Sequence, residues 1–315
     1  MILITGGLGF IGLHTARRFL DVGEQVVLTQ FRVRREPDFI KDEIEKRVFI
    51  ERLDVTSAHD VIDVVRRHKV NGIVHLAVPA LAALSAAEDY RVNVMGFVNI
   101  LEAARVSDIK RVTWGSSIAV YATLPKGPFS EDTLLPVESR NATETFKKAL
   151  EILGAHYANR TGLEVVALRI GGPFGPLYHT LAAATSRIVH AAVKRVPADF
   201  KGTRTGVPHE DDEVGAFYVK DCAMGIQLLQ MADNLPHRTY NISGDGPHTY
   251  REFAEAVKKV VPNTEVGLQP GQGPRQRTDA YMEITRIRED VGYQPQYDLE
   301  RSIADYIDWL RKNPV

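Results

Sequence analysis

Residues 1–12 read M-I-L-I-T-G-G-L-G-F-I-G, and how this stretch is parsed decides the fold. Ile2, Leu3 and Ile4 make an apolar run that suits a short buried strand, and the residues from Phe10 onward follow helical periodicity. The glycines between them must form a tight turn. Two spacings overlap in it: Gly7, Gly9 and Gly12 fit G-x-G-x-x-G, while Gly6, Gly9 and Gly12 fit T-G-x-x-G-x-x-G. One glycine lets the chain turn at positive φ. One lets a pyrophosphate approach the backbone, and one lets the helix sit close on the strand. The helix N-terminus then offers free N–H groups and partial positive charge to the phosphates. G-x-G-x-x-G alone is a weak signal. Between a strand and a helix it reads as a dinucleotide-binding turn, the alternative being an ordinary glycine-rich connection.

The chain has 315 residues, of which 44% are hydrophobic and 25% charged, a globular composition for one large domain or a domain with a smaller lobe. The net charge is −1 with no long run of one sign, so neither nucleic acid nor an anionic membrane is expected as a partner. Cys222 is the only cysteine, which excludes an intramolecular disulfide and suits a reducing compartment. The first strand begins at residue 2, with no charged-then-apolar leader and no apolar run of bilayer length, so the expected location is cytoplasmic.

Helical periodicity runs from Phe10 to about Val22, and Gly23 suits its end. Val26, Val27 and Leu28 form a second strand. Dinucleotide folds carry an acidic residue about 20 positions beyond the glycines, where it grips the ribose 2′-hydroxyl. Here the strand ends at Thr29-Gln30, and Arg32, Arg34 and Arg35 follow. A missing carboxylate beside arginines suits a 2′-phosphate, so NADP is expected over NAD; the alternative is that the arginines only solvate a loop. A third strand at Val48–Ile50 leads to Leu53-Asp54-Val55. Asp54 falls at the carboxyl edge of the sheet, placed to accept from an adenine amino group or, alternatively, to cap the helix from about Ser57. Asn71–Leu76 is a fourth strand, followed by the small Ala77, and His75 reads as a packed strand residue.

Asp89–Arg105 reads as one long amphipathic helix, and Arg111–Trp114 as a fifth strand ending in Gly115-Ser116-Ser117. A loop over 123–140, a helix over 141–160 and a sixth strand over 164–169 complete the alternation. Strands alternating with helices imply a parallel, doubly wound sheet with helices on both faces. Beyond Gly171 the pattern changes to helices over 181–193, 219–231, 250–260 and 299–310, a strand over 240–243 and a loop over 270–277. Glu210, Asp211, Asp212 and Glu213 read as a solvated loop, and His209-Glu210 lacks a second histidine at helical spacing, so no metal site is expected. The expected fold class is α/β: a Rossmann-type sheet domain over 1–170 plus about 236–261, and a smaller C-terminal substrate lobe over 171–235 and 262–315.

Several motifs in order carry a family resemblance. They are T-G-G-L-G-F-I-G, Leu53-Asp54-Val55, H-L-A at 75–77, N-V-M-G-F-V-N-I-L-E-A-A at 93–104 and G-S-S-I-A-V-Y at 115–121. L-R-I-G-G-P-F-G-P at 168–176, Y-V-K-D at 218–221, Y-N-I-S at 240–243 and G-Y-Q-P at 292–295 continue the series. Over essentially the whole chain the sequence resembles the extended short-chain dehydrogenase/reductases, the NAD-dependent epimerase/dehydratase family. The resemblance implies NADP or NAD as cofactor, held by Gly6, Gly9, Phe10, Ile11, Gly12, Gln30, Arg32, Asp54, Val55, Leu76, Ala77 and Lys147. It implies a small-molecule substrate near Tyr121, Gly172, Tyr178 and His179, and a homodimer built from the helices near 89–105 and 141–160.

It also implies a serine, a tyrosine and a lysine as the catalytic set. The tyrosine is the acid/base, its phenol brought down from a pKa near 10 by the lysine one helical turn on. Ser117 matches the serine, its other role being to cap the end of the fifth strand. Lys147 with Glu151 matches K-x-x-x-E, but the tyrosine position, four residues before Lys147, is Thr143. A threonine hydroxyl does not titrate near neutral pH and ends short of where a phenol would. Tyr121, Tyr178, Glu144, His179 or a water held by Thr143 are the candidate replacements. The resemblance also leads one to expect an asparagine where Gly171-Gly172 stand and an arginine shortly before Y-V-K-D, where E-V-G-A-F has none, so a nucleotide sugar is disfavoured against a smaller hydroxy or keto compound. Two functions follow: an NAD(P)-dependent oxidoreductase, epimerase or dehydratase with an altered proton donor, or an NAD(P)-binding protein without redox turnover.

Overall fold

The computed structural model describes residues 1–31, 37–79, 84–178, 181–203, 206–274 and 279–313. Strand β1 (Ile2–Thr5) and helix α1 (Phe10–Asp21) flank the glycine turn, followed by β2 (Val26–Gln30), β3 (Val48–Arg52), α2 (Ala58–Arg67) and β4 (Gly72–His75). The single helix expected over 89–105 is α3 (Ala86–Tyr90) and α4 (Gly96–Val106), joined by a π-helical turn over Arg91–Met95. In that turn Asn93 Nδ2 donates to the Asp89 carbonyl at 2.9 Å. Next come β5 (Arg111–Ser117), α5 (Ala142–Thr161) and β6 (Glu164–Ile170).

The strands pair in the order β6-β5-β4-β1-β2-β3, every pair parallel, and a later strand, introduced below, adds to β6 as the seventh. Burial on both faces explains why these strands read as continuous apolar runs. Ile2, Ile4, Val26, Leu28, Val74 and Leu168 point to one side, against α1. Leu3, Val27, Ile73, Val112, Trp114 and Ala167 point to the other, where Val61 and Val65 of α2, Phe97 and Leu101 of α4, and Leu150 of α5 cover them.

After β6 come β7 (Pro173–Phe174), α6 (Ala184–Lys194), β8 (Glu213–Val214), β9 (Phe217–Tyr218) and α7 (Val219–Met231). The chain ends with β10 (Thr239–Ile242), β11 (His248–Thr249), α8 (Tyr250–Val260), α9 (Thr285–Val291) and α10 (Leu299–Lys312). The seventh sheet strand is β10, parallel to β6. Helix α6 begins three residues later than expected because Leu181 has φ +46° and Ala183 is extended. The short α9 and the two-residue strands carry too little periodicity to be read in advance.

Packing also divides the chain differently from the sequence expectation. Cys222, Ile226 and Leu229 of α7 and Ile287 of α9 join the core that α1 forms on the sheet, so both belong with the sheet rather than the lobe. Phe253 and Val257 of α8 join Ile188 of α6 and Ile303, Tyr306 and Ile307 of α10, so α8 belongs to the lobe rather than the sheet.

Backbone packs directly on backbone at the glycine turn. A methyl group on Gly12 would lie 2.4 Å from the Gly6 carbonyl oxygen and 2.7 Å from Gly7 Cα, both rigid backbone atoms. Gly12→Ala is therefore expected to cost about 1–3 kcal/mol in urea unfolding. An unchanged midpoint would mean that α1 can retreat from the turn freely.

Candidate functional site

The strand order reverses between β4 and β1, and ligands of open α/β sheets bind outside the carboxyl ends at such a point. Gly6 has φ +66°, and a Cβ there would lie 2.9 Å from Ala77 N, so the turn after β1 touches the end of β4 through backbone alone. Gly9 faces outward: a Cβ on it would meet only the Gly6 oxygen, at 3.2 Å. Helix α1 starts at Gly9 with no side-chain cap. By contrast Ser57, Asn141, Thr249 and Asp298 cap α2, α5, α8 and α10. The amides of Phe10, Ile11 and Gly12 therefore lack intrahelical acceptors. At the end of β2, Gln30 Nε2 is buried without a hydrogen-bond partner among the described residues. A glycine cradle, an uncapped helix N-terminus and an orphaned donor at the neighbouring strand end fit a dinucleotide's phosphates and ribose.

Asp54 is not the cap of α2. Its Oδ1 accepts from Thr56 N at 2.9 Å and Thr56 Oγ1 at 2.8 Å, a local turn, and Ser57 caps the helix instead. Val55 turns inward: its side chain is buried, and its carbonyl accepts from Asn99 Nδ2 at 3.0 Å. Leu76 and Ala77 continue β4 beside Gly6, with Leu76 N donating to the Thr5 carbonyl and Ala77 N to Thr5 Oγ1. The rings of Phe10 and Tyr178 meet at 4.9 Å between centroids, tilted by 54°, beside the N-terminus of α1. Arg32, Arg34, Arg35 and His179 lie outside the described residues.

Thr143 and Lys147 lie one turn apart on the same face of α5. Thr143 is half-buried in the first turn. Lys147 is buried, its Nζ 5.6 Å from the Trp114 ring centroid, with no hydrogen bond or ion pair among the described residues. Burial pushes its pKa down from 10.5 to about 8, opposed by the charge of Glu151. His75, in register with Trp114, bonds Thr5 Oγ1 at 2.7 Å and is held neutral, its pKa lowered to about 3 by burial and then by the Lys147 charge. Ser117 Oγ accepts from Ala119 N at 3.1 Å, so it caps the helical turn over Ile118–Tyr121 and keeps its own hydrogen to donate.

Two candidate proton donors are engaged elsewhere. Tyr121 is fully buried: its hydroxyl receives Arg169 NH1 at 2.6 Å and lies 2.9 Å from Asn241 Oδ1. Burial pushes its pKa up to about 12, so it is a core residue rather than a substrate contact. Glu144 is fully buried, with Lys148 Nζ 2.7 Å from Oε1 and Arg140 N 2.8 Å from Oε2. Burial works to raise its pKa, but bonds from Lys148, Thr123 and the Arg140 amide hold it below the usual carboxylate value. Motif reasoning had not separated these buried groups from the site, because burial is invisible in spacing.

Sequence reading also missed a cleft of about 200 Å³ beyond the carboxyl ends of β5, β6 and β10. Ile118, Gly172, Glu213, Phe217, Ser243 and Tyr281 are among its lining residues. The exposed Gly172 needs no extra room there, since a Cβ on it would meet nothing within 4 Å. Glu213, expected in a solvated loop, instead pairs in β8 against Thr249 of β11.

The model of the NAD dependent epimerase/dehydratase family matches residues 2–243. Protein CapI of Staphylococcus aureus is 26% identical over 98% of this chain and 97% of its own length. Among solved structures, dTDP-glucose 4,6-dehydratase from Bacillus anthracis in complex with NAD has a TM-score of 0.82 at 19% identity, covering 99% of this chain and 97% of the other. L-threonine dehydrogenase from Clostridium difficile has a TM-score of 0.82 at 24% identity, again covering 99% and 97%. The structural likenesses establish a shared Rossmann-like fold.

The depressed proton affinity of Lys147 has a stability consequence. Between about pH 8 and 10.5 the unfolded chain holds a proton on Lys147 that the folded chain has lost, so folded stability rises with pH across that window. Below about pH 8 both states are protonated and the full cost of the buried charge applies. Relative to Lys147→Met, the protein is expected to gain on the order of 3 kcal/mol across this window in urea unfolding at several pH values. A pH-independent difference would show an ordinary proton affinity.

Proposed function

Because the chain belongs to the NAD dependent epimerase/dehydratase family, we propose that it is an NAD(P)-dependent oxidoreductase, epimerase or dehydratase acting on a hydroxy or keto group of a small, sugar-like or other substrate. The observation that carries this reading is Lys147, buried, without a hydrogen bond or ion pair among the described residues and with its pKa pushed down to about 8, one turn along α5 from Thr143 and beside the dinucleotide crevice. Lysines held in this state are uncommon outside functional sites. A bound nicotinamide supplies the hydride acceptor or donor. Lys147 holds the nicotinamide ribose and keeps a proton in reserve. Ser117 donates its free hydrogen to the substrate oxygen. Thr143 holds a water in the space a phenol would fill, and that water carries the proton between substrate and Lys147.

The missing phenol, with Tyr121 and Glu144 engaged in the core, also supports a second reading, an NAD(P)-binding protein without redox turnover. Titration calorimetry with both coenzymes, followed by absorbance at the nicotinamide band across a panel of hydroxy and keto compounds, separates the two. We expect binding and turnover, with turnover reduced 10²–10⁴-fold in Lys147→Met. Binding without turnover would favour the second reading, and no binding would overturn both.

NADP is proposed over NAD, supported by the uncharged Gln30 and its orphaned donor where a carboxylate would repel a phosphate. Gln30→Asp is expected to shift the NADP-to-NAD affinity ratio toward NAD by about tenfold or more, of the order of one lost charged hydrogen bond plus repulsion. A ratio unmoved in fluorescence titration would remove Gln30 from coenzyme selection. A homodimer through α3, α4 and α5 is part of the proposal, supported by exposed Tyr90, Met95, Ile152 and Leu153 on those helices and the turn joining them. So is a cytoplasmic location, supported by the buried, unbonded Cys222. Among the described residues no helix is long and apolar enough to cross a membrane.

A further inference from the structure

We infer that the substrate carries an ammonium group and that Glu213 is the residue that reads it, so the substrate class is a small amino-bearing hydroxy or keto compound. The inference rests on the nicotinamide-dependent reading above and narrows it. The cleft beyond β5, β6 and β10 begins at Ile118, directly after Ser117, and extends to Glu213. Its volume of about 200 Å³ is small. Sites for drug-sized ligands span roughly 300–1,000 Å³, and a nucleoside-diphosphate sugar is at least that large.

The charge in the cleft points the same way. Among the described residues that line it there is no lysine, arginine or histidine, and Glu213 supplies the carboxylate. The neighbouring acids are already engaged. Glu210 and Asp211 pair with Arg251 at 2.8 and 2.9 Å. Asp212 accepts from Gly273 N at 2.7 Å and His209 N at 3.3 Å. Glu213 has one bond, from Ala280 N to Oε2 at 2.9 Å, and its Oε1 has no partner among the described residues. A pyrophosphate would be repelled here. An ammonium would complete the carboxylate with a charge-assisted hydrogen bond and offset the cost of leaving a half-buried charge unpaired. Pairing of β8 with β11 and the Ala280 amide hold the carboxylate in place before any ligand arrives. The rest of the lining offers hydroxyls at Ser243 and Tyr281 and apolar surface at Ile118 and Phe217, which suits a short carbon chain.

The test compares two matched probes, 1-amino-2-propanol and 1,2-propanediol, by titration calorimetry into protein saturated with whichever coenzyme binds. UDP-glucose serves as the anionic control. The amine is expected to bind at least about tenfold tighter than the diol, the size of one charge-assisted bond, and UDP-glucose more weakly than the amine. Glu213→Gln keeps an acceptor for Ala280 N, so it should leave coenzyme affinity unchanged while removing the preference for the amine. An undetectable amine heat, equal affinities, a preference that survives in Glu213→Gln, or tighter binding of UDP-glucose would each overturn the assignment. Coenzyme binding in the same calorimeter keeps that failure distinct from failure of the nicotinamide-dependent reading, which would appear as no coenzyme heat at all.

Discussion

Three backbone segments meet in this structure with no side chain between them. Gly6 lies against Ala77, Gly12 against Gly6, and Gly7 against the Ile4 carbonyl, each so close that a methyl group would fall within 3.0 Å of main-chain atoms. The contact brings the carboxyl ends of β1 and β4 and the start of α1 to one point, so the crevice is lined by peptide groups and a helix N-terminus rather than by side chains. Thr5 extends the contact sideways. Its hydroxyl receives Ala77 N and meets His75 Nδ1, and His75 sits beside Trp114, over which Lys147 lies. One chain of contacts therefore runs from the phosphate-binding turn to the lysine that would hold the other end of a dinucleotide.

A second, polar layer fixes Lys147 from behind. One turn further along α5, Glu151 takes two bonds from Arg169, at 3.0 and 2.7 Å, and one from Ser116 Oγ at 2.6 Å. Arg169 in turn holds Tyr121, and Tyr121 meets Asn241 of β10. Burial works to lower the proton affinity of Arg169, but Glu151 raises it well above its ordinary value, so the guanidinium stays charged. Such a buried pair adds little net stability against an apolar replacement, but removing one partner leaves the other uncompensated. Its effect is positional: α5 cannot roll on β5 and β6 without breaking it. Among the described residues the lysine is left without a salt bridge because both carboxylates a turn away are committed, Glu151 to Arg169 and Glu144 to Lys148.

Much of this fold was legible in the sequence because it rests on short-range signals. Apolar runs fully buried on both faces named the sheet strands, and the glycine spacing named the turn after β1. Helix α8 was read to its ends because Tyr250 and its apolar stripe begin directly after the capping Thr249, and α7 matched its expected span of 219–231. What failed was long-range. Whether α7 covers the sheet or the lobe depends on which partner its apolar face finds, and its sequence is compatible with either. Tyr121 resembled an available acid because nothing in its spacing reveals Arg169 closing over it, whereas Glu144 and Lys148, four residues apart on α5, have the spacing of a local ion pair. Glu213 resembled one member of a solvated run because the run's countercharge, Arg251, lies far along the chain.

The loss of the phenol and the composition of the cleft are parts of one departure. A tyrosine on α5 would fill the space above Lys147, and its hydroxyl would be the group that titrates. With threonine there, the titrating group on that face of α5 is the lysine, whose proton affinity burial lowers. Under the proposed reading a proton would travel farther, by way of water, and a small substrate that left part of the site unfilled would admit that water. In the cleft beyond β5, β6 and β10, Glu213 stands without a cationic side chain among the described lining residues, the arrangement from which an ammonium-bearing substrate is proposed. Under the proposed reading, a short substrate anchored by charge at Glu213 would leave room at Thr143 for the water that the reaction needs. Under that reading the two departures from the family pattern would compensate each other, which neither would do alone.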